Sequence, residues 1–246
     1  KVLSYAEALG SIFNNQYGIA VAGSHGKTTT TAWLGFVMQQ AGLSPNVLVG
    51  ANVPQFAGCA ITGPSDYFVI EADEYQNKLR YFNPKAVILN NIDYDHPDFF
   101  PNLDDYKQVF INFIEKIPKS GFLVANFDDP ITRKIANVNT RSKIVSYAIQ
   151  ETADYVAYDI KKFSGKQFFK VKIGVNDDID DNDFAASNDL GDFSIQLAGQ
   201  HNIYNALAVI AAAVELNIDL TTIRKSLEDF LGTARRMQIL GEYNGA

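Results

Sequence analysis

Cysteine is nearly absent from this sequence of 246 residues, because Cys59 is the only one. A single cysteine excludes an intrachain disulfide and a structural zinc site built from cysteines, and it fits a reducing, cytoplasmic setting. Basic residues are also in the minority, since 21 Lys and Arg stand against 28 Asp and Glu and give a net charge of −7. Surfaces that bind nucleic acid are usually basic. The composition therefore predicts no nucleic-acid partner.

Long hydrophobic runs are missing as well. No Asp, Glu, Lys or Arg stands between Lys27 and Asp66, but glutamines, asparagines and prolines interrupt that stretch. A membrane-spanning helix needs roughly 18 or more consecutive apolar residues, which this stretch does not supply. The first residues also carry no signal-peptide pattern, because their apolar positions alternate with polar ones. The sequence therefore predicts no membrane partner.

The residues that are present in quantity indicate a layered globular protein. Short β-branched runs recur in the first half, and their near-continuous apolarity is typical of strands that are covered on both faces. These runs are residues 18–22, 67–72, 86–90, 122–125 and 143–147. Helical patterns at residues 28–41 and 103–117 lie between them. The alternation predicts an α/β fold with a mostly parallel sheet flanked by helices.

The pattern changes in the second half of the chain. Apolar and polar residues alternate at 153–158, 167–172 and 193–197, which predicts a small antiparallel sheet. Residues 176–183 contain five Asp, but their spacing differs from that of a calcium loop, so we predict a solvated hairpin loop there. Helical periodicity returns at residues 202–216 and 220–231.

The strongest chemical signal is a phosphate loop. Residues 20–31 have the sequence AVAGSHGKTTTT, between a buried-strand pattern and a helical one. Glycines let the backbone turn its amides toward an anion, the following helix adds its positive end, and a lysine neutralises phosphate charge. The usual first glycine of the pattern is replaced by Val21. The candidate nucleotide-binding residues here are Gly23, Ser24, His25, Gly26, Lys27, Thr28 and Thr29.

Acidic residues and a histidine follow the next strands. Glu71, Asp73 and Glu74 end the second apolar run, and ligands in open α/β sheets bind beyond the carboxyl ends of strands. Glu71 is nearest to the strand and is our first candidate for a Mg²⁺ ligand, whereas Asp73 and Glu74 fit a capping or surface role equally well. His96 follows the third strand and is a further candidate metal ligand.

Five segments in this order resemble the Mur ligases, the ATP-dependent amide-forming enzymes of peptidoglycan synthesis. The segments are residues 23–30, 71–74, 91–96, 199–206 and 235–237. The resemblance implies that residues 18–232 are the central ATP-binding domain of such an enzyme. It further implies that residues 1–17 lead in from an N-terminal UDP-sugar domain and that residues 233–246 form a hinge toward a C-terminal domain. The chain alone is then not expected to be fully active.

The resemblance also implies cofactors and catalytic residues. ATP would bind with its β- and γ-phosphates at Lys27. Thr28 and Glu71 would hold one Mg²⁺, and His96 would hold a second.

Further roles are implied for the last two segments. Asn202 would hydrogen-bond the adenine, and Asn205 would support the start of that helix. Arg236 would approach the transferring phosphate, whereas the role of Arg235 stays open.

The family chemistry activates a carboxylate as an acyl phosphate, which an amine then attacks. Several members carry a carbamylated lysine about 14 residues after the metal histidine, but Phe110 occupies that position here. In this respect the sequence resembles the members of the family that act on UDP-N-acetylmuramate. We expect L-alanine as the amine, with the recycled tripeptide L-alanyl-γ-D-glutamyl-meso-diaminopimelate as the alternative. Outside the family, a P-loop ATPase switch and a noncatalytic nucleotide-binding module stay open.

Overall fold

The computed structural model describes residues 2–174 and 188–234. Ten strands within these residues form one sheet, in the order β10-β9-β8-β7-β6-β5-β1-β4-β2-β3. The strands are β1 (Tyr17–Ala22), β2 (Asn46–Val53), β3 (Gly58–Ile61), β4 (Tyr67–Glu71), β5 (Ala86–Leu89), β6 (Phe122–Asn126), β7 (Lys143–Ala148), β8 (Tyr155–Phe163), β9 (Lys166–Ile173) and β10 (Asp189–Ile195). The helices are α1 (Tyr5–Phe13), α2 (Lys27–Gln40), α3 (Leu103–Ile114), α4 (Pro130–Asn139), α5 (Gln200–Glu215) and α6 (Leu220–Asp229).

The middle of the sheet is parallel. Strand β1 lies between β4 and β5 and runs parallel to both, and the parallel pairing continues through β6 and β7 to β8. Antiparallel pairs occur toward the two edges, between β2 and β3 and among β8, β9 and β10. The predicted α/β fold with a mostly parallel sheet is confirmed.

The antiparallel strands of the second half differ from the prediction in one respect, because they continue the same sheet. Strand β8 pairs with β7 through Tyr147 opposite Tyr155 and Ala148 opposite Val156. Without this pairing the backbone groups of β7 would form an open edge, which native sheets avoid. The alternating pattern of these strands could reveal their antiparallel pairing to each other but not this junction.

Helices cover both faces of the sheet. One apolar core lies under α2, α5 and α6 and contains Trp33, whose ring stacks on Phe230 at 5.0 Å between centroids. The other core lies under α1, α3 and α4 and contains Phe13 and Phe110, both fully buried. Strand β5 is buried along its whole length because both of its faces are covered. This explains why the strands of the first half are continuously apolar.

Several elements were not foreseen from the sequence. They include α1, which begins with a capping box between Ser4 and Glu7, as well as α4, β2 and β3. Helix α1 lies within the stretch expected to be a lead-in, yet Phe13 packs on Phe68 and Phe82 with ring centroids 5.9 and 5.5 Å away. The last residue of this helix, Phe13, therefore packs in one of the two apolar cores.

No helix in the described ranges is both long and apolar enough to cross a bilayer. The acid-rich stretch 176–183 and the candidates Arg235 and Arg236 lie outside the described residues.

Candidate active site

The phosphate loop lies where β1 ends and α2 begins. Gly23 has φ +121° and Gly26 has φ +81°, which are backbone conformations that residues with a Cβ rarely adopt. A Cβ on Gly26 would also lie 2.4 Å from Asn205 Oδ1. Helix α2 starts at Lys27, and the first amides of a helix have no partner within the helix. The local geometry therefore supplies backbone donors for an anion.

Residues after β5 hold this loop in place. The Ser24 amide donates to the Asn91 carbonyl at 3.0 Å, and the His25 amide donates to Asn91 Oδ1 at 2.8 Å. Asn90 Nδ2 donates back to the His25 carbonyl at 3.2 Å. The loop is thus fixed against the neighbouring strand end by hydrogen bonds within the protein.

The ammonium of Lys27 is enclosed beyond the carboxyl end of the central strand β1. It donates to the Gly23 carbonyl at 2.5 Å, to the Ser24 carbonyl at 3.2 Å and to Glu74 Oε2 at 2.9 Å. The side chains of Lys27 and Glu74 are only 13% and 1% exposed. Glu74 is therefore a charged member of the site, although the sequence left its role open.

Thr28 at the start of α2 and Glu71 at the end of β4 lie together. Thr28 Oγ1 donates to Glu71 Oε1 at 2.9 Å, and the Gly50 amide of β2 donates to Glu71 Oε2 at 2.9 Å. Strand β2, which the sequence did not reveal, thereby fixes the orientation of the Glu71 carboxylate.

A second group of potential metal ligands contains Asp73, Glu74 and His96. One ligand atom from each lies within 4.8 Å of the others. His96 Nε2 is 3.7 Å from Glu74 Oε1, and the ring of Tyr75 lies 4.6 Å from the imidazole ring. The structure thus brings His96 together with Glu74 and Asp73, while Glu71 pairs with Thr28.

The segment that follows Asp73 and Glu74 is held in place by hydrogen bonds from Lys116. Residues Tyr75–Tyr81 form a 3₁₀ segment interrupted by left-handed conformations at Gln76 and Asn77. Lys116 Nζ donates to the carbonyls of residues 79, 80 and 82. Burial lowers the pKa of Lys116. The ammonium therefore fixes the far end of the segment that follows Glu74.

His25 points away from this group. Its imidazole Nε2 lies 3.4 Å from Asp93 Oδ2, and the two side chains are 66% and 76% exposed. The structure gives His25 a backbone role in the loop and leaves its ring at the surface.

A cavity of about 1120 Å³ adjoins the phosphate loop on the side of α5. Its lining includes His25 and Gly26 of the loop, Thr29 of α2, and Asn202 and Asn205 of α5. Its volume exceeds the roughly 300–1,000 Å³ that is usual for small-molecule pockets, which leaves room for a nucleoside beside the phosphate loop.

Asn202 and Asn205 form a hydrogen-bonded unit at the start of α5. Asn205 Nδ2 donates to Asn202 Oδ1 at 3.1 Å, and Asn202 Nδ2 donates to the Ala198 carbonyl at 2.7 Å. Asn205 Oδ1 accepts from Thr30 Oγ1 at 3.2 Å. Since Thr30 belongs to α2, the unit joins the cavity to the helix that follows the phosphate loop.

Asp128 supports the cavity but was not predicted from the sequence. Burial favours its neutral form, but the amides of residues 149, 150 and 151 and the Tyr204 hydroxyl donate to it and together lower its pKa. Burial raises the pKa of Tyr204, as does the hydrogen bond to Asp128. Asp128 therefore fixes Tyr204, which lines the cavity. Its long-range partners left no local signal in the sequence.

Comparison with known proteins identifies the family. The model of the Mur ligase middle domain matches residues 21–213. The chain belongs to the Mur ligase family. The predicted family resemblance is thereby confirmed.

Among related Mur ligases, the UDP-N-acetylmuramate–L-alanine ligase of Caldicellulosiruptor bescii is 38% identical and aligns with 100% of this chain and 51% of that protein. The enzyme of the same name from Desulfitobacterium hafniense is 36% identical, with 100% and 51% covered. The chain thus spans about half the length of these curated relatives.

Solved Mur ligase structures share the fold. The UDP-N-acetylmuramate:L-alanyl-γ-D-glutamyl-meso-diaminopimelate ligase from Neisseria meningitides superposes with a TM-score of 0.79 at 28% identity, over 93% of this chain and 70% of that chain. The UDP-N-acetylmuramate–alanine ligase from Thermotoga maritima also has a TM-score of 0.79, at 24% identity over 98% and 50%. At that lower identity the second match supports the fold alone.

Proposed function

We propose that the full-length protein is an ATP-dependent ligase of peptidoglycan synthesis that joins the carboxylate of UDP-N-acetylmuramate to the amine of L-alanine. The products are ADP and phosphate. One observation carries the proposal. Lys27, the Thr28–Glu71 pair and the Glu74–His96 pair lie together beyond the carboxyl ends of the central strands. The names of the 38% and 36% identical relatives support the choice of L-alanine.

The loop and the cavity fit ATP. The phosphates would bind at Gly23, Gly26, Lys27 and the start of α2, because a glycine cradle, a lysine and a helix N-terminus favour anions. The nucleoside would bind in the adjoining cavity, with Asn202 recognising the adenine and Asn205 holding Asn202.

The oxygen-rich donor set fits Mg²⁺. Thr28 and Glu71 would hold one ion, and His96 with Glu74 and Asp73 would hold a second. Mg²⁺ prefers oxygen ligands and keeps several waters, so one or two carboxylates are enough for each ion. When bound, the ions neutralise charge on the transferring phosphoryl group.

The residues of this chain act by binding and orienting. Phosphoryl transfer to the UDP-N-acetylmuramate carboxylate gives an acyl phosphate, and attack by the amine of L-alanine releases phosphate. Such a transfer depends mainly on positioning and charge stabilisation, which explains why the site holds a lysine and carboxylates and needs no protein nucleophile. Arg236 belongs to the same proposal as a further charge near the transferring phosphate.

We also propose a division of the full-length protein into domains. Residues 18–232 act as the central ATP-binding domain, and residues 1–17 and 233–246 connect it to domains for the UDP sugar and the amino acid. The match to about half of each curated relative supports this division. A reducing, cytoplasmic compartment suits the single cysteine, Cys59, which is exposed and free.

The tripeptide-recycling ligase is the second candidate. The structure with 28% identity and a TM-score of 0.79 carries that activity in its name. The two candidates share ATP and UDP-N-acetylmuramate and differ only in the incoming amine.

Phosphate release by the full-length protein tests the proposal. Mg-ATP and UDP-N-acetylmuramate are supplied with either L-alanine or L-alanyl-γ-D-glutamyl-meso-diaminopimelate. We expect turnover with L-alanine. Turnover with the tripeptide alone would establish the recycling ligase, and release that needs neither amine would indicate a P-loop ATPase switch. ATP binding without turnover in any mixture would indicate a noncatalytic module.

A further inference from the structure

Tyr106 is a buried residue of α3 that lies between the phosphate loop and the acidic segment. Its side chain is 0% exposed. Its hydroxyl lies 2.8 Å from Ser24 Oγ and 3.1 Å from Glu74 Oε1. A single hydroxyl thus bridges two parts of the site that come from different strand ends.

Packing alone does not account for the hydroxyl. The ring of Tyr106 contacts Phe100 and Phe110 at centroid distances of 5.0 and 5.2 Å, and a phenylalanine ring would make the same contacts. A buried hydroxyl is costly unless it is hydrogen-bonded. Here both of its partners belong to the candidate active site.

The direction of the hydrogen bond between Tyr106 and Glu74 follows from charge. Glu74 is paired with Lys27 and, as a carboxylate, can only accept. The Tyr106 hydroxyl is therefore the donor in its 3.1 Å hydrogen bond to Glu74 Oε1. Ser24 Oγ donates to the Asp93 carbonyl at 2.6 Å, accepts from the Asp93 amide at 2.8 Å and lies 2.8 Å from the Tyr106 oxygen. The loop, the tyrosine and the carboxylate therefore form one connected unit.

We propose that Tyr106 is a positioning residue that holds the Glu74 carboxylate at a fixed distance from the phosphate loop, so that Glu74 and His96 are aligned for Mg²⁺ when ATP binds. This inference rests on the proposed function. It assigns no contact between Tyr106 and the nucleotide, because Tyr106 acts through Glu74.

Tyr106→Phe in the full-length protein tests the inference. The readout is equilibrium binding of ATP over a series of Mg²⁺ concentrations, with the melting temperature measured in parallel. A hydrogen bond to a charged group is worth about 1.5–3 kcal/mol, so we expect the Mg²⁺ midpoint to rise about tenfold or more. The rate at saturating Mg²⁺ should change much less than the midpoint.

Tyr94→Phe is the matched control. Its ring lies 6.0 Å from the ring of Tyr106 in the same aromatic cluster, and its hydroxyl donates to the Phe100 carbonyl, away from Glu74. This variant also loses one hydroxyl, but its Mg²⁺ midpoint should equal that of the unmutated protein.

A Glu74→Gln background shows whether the effect passes through Glu74. In that background Tyr106→Phe should shift the midpoint by less than about twofold, because coupled residues are not additive. A Tyr106→Phe protein with an unchanged midpoint would overturn the inference, whether or not its melting temperature falls. An equal shift in both backgrounds would also overturn it. Failure of the unmutated protein to bind Mg-ATP would instead reject the proposed function.

Discussion

Gly26→Ala separates the two physical reasons for a glycine in the phosphate loop. The φ of +81° costs an alanine about 1–2 kcal/mol. The new Cβ also meets Asn205 Oδ1 at 2.4 Å and Asn90 Nδ2 at 2.8 Å, so both amides must move. Each amide then loses its hydrogen bond to Thr30, at about 1 kcal/mol apiece. We expect a total loss of about 3–4 kcal/mol in the free energy of unfolding.

Gly42→Ala supplies the matched control. Gly42 has φ +76°, and a Cβ there meets nothing within 4 Å, so this variant carries the backbone strain without the clash. We expect it to lose only about 1–2 kcal/mol. The difference between the two variants then measures the displacement of Asn205 and Asn90.

Urea unfolding of the purified chain is the assay. Trp33 is the only tryptophan, is 0% exposed and lies in α2, so its fluorescence reports on the helix that Gly26 precedes. ATP binding should weaken in Gly26→Ala and stay unchanged in Gly42→Ala. Equal unfolding free energies for the two variants would refute the argument that Gly26 is required for close approach.

Three further predictions concern charged groups. Lys27→Met should abolish ATP-dependent amide formation by the full-length protein and lower its melting temperature, because the buried Glu74 carboxylate loses its ammonium partner. Adding Glu74→Gln should restore stability but not activity. Glu71→Ala should raise the Mg²⁺ concentration for half-maximal rate, and superimposable metal titrations would contradict this. Asp128→Asn should destabilise the chain at pH 7. Since the pKa of Asp128 is lowered on folding, its stabilisation is lost as pH falls through the folded pKa, so the unfolding free energies of variant and parent should converge in acid.

The sequence predicted the parts of the site that depend on local order. The glycines, Lys27 and Thr28 follow a strand directly and precede a helix, so the phosphate loop was predictable from residues adjacent in the chain. Glu71 was predictable for a similar reason, because it ends the strand that pairs with β1.

The position of Glu74 was not predictable in the same way. After Glu71 the chain turns through left-handed conformations at Gln76 and Asn77, and Glu74 faces Lys27 instead of solvent. Asparagine is enriched in this conformation but glutamine is not, so the local sequence gave little sign of two consecutive left-handed residues. Tyr106 lies in the helical pattern of residues 103–117, but the pattern could not reveal its role because its hydroxyl partners come from elsewhere in the chain.

The hydrogen bonds of Asn205 have a consequence for inhibitors of this enzyme class. A compound that occupies the cavity near α5 contacts residues that also support the phosphate loop, because Asn205 bonds to both Asn202 and Thr30. A resistance mutation at Asn205 would also remove the acceptor of the Thr30 hydroxyl. Resistance at this position is therefore expected to lower the affinity of the protein itself for ATP.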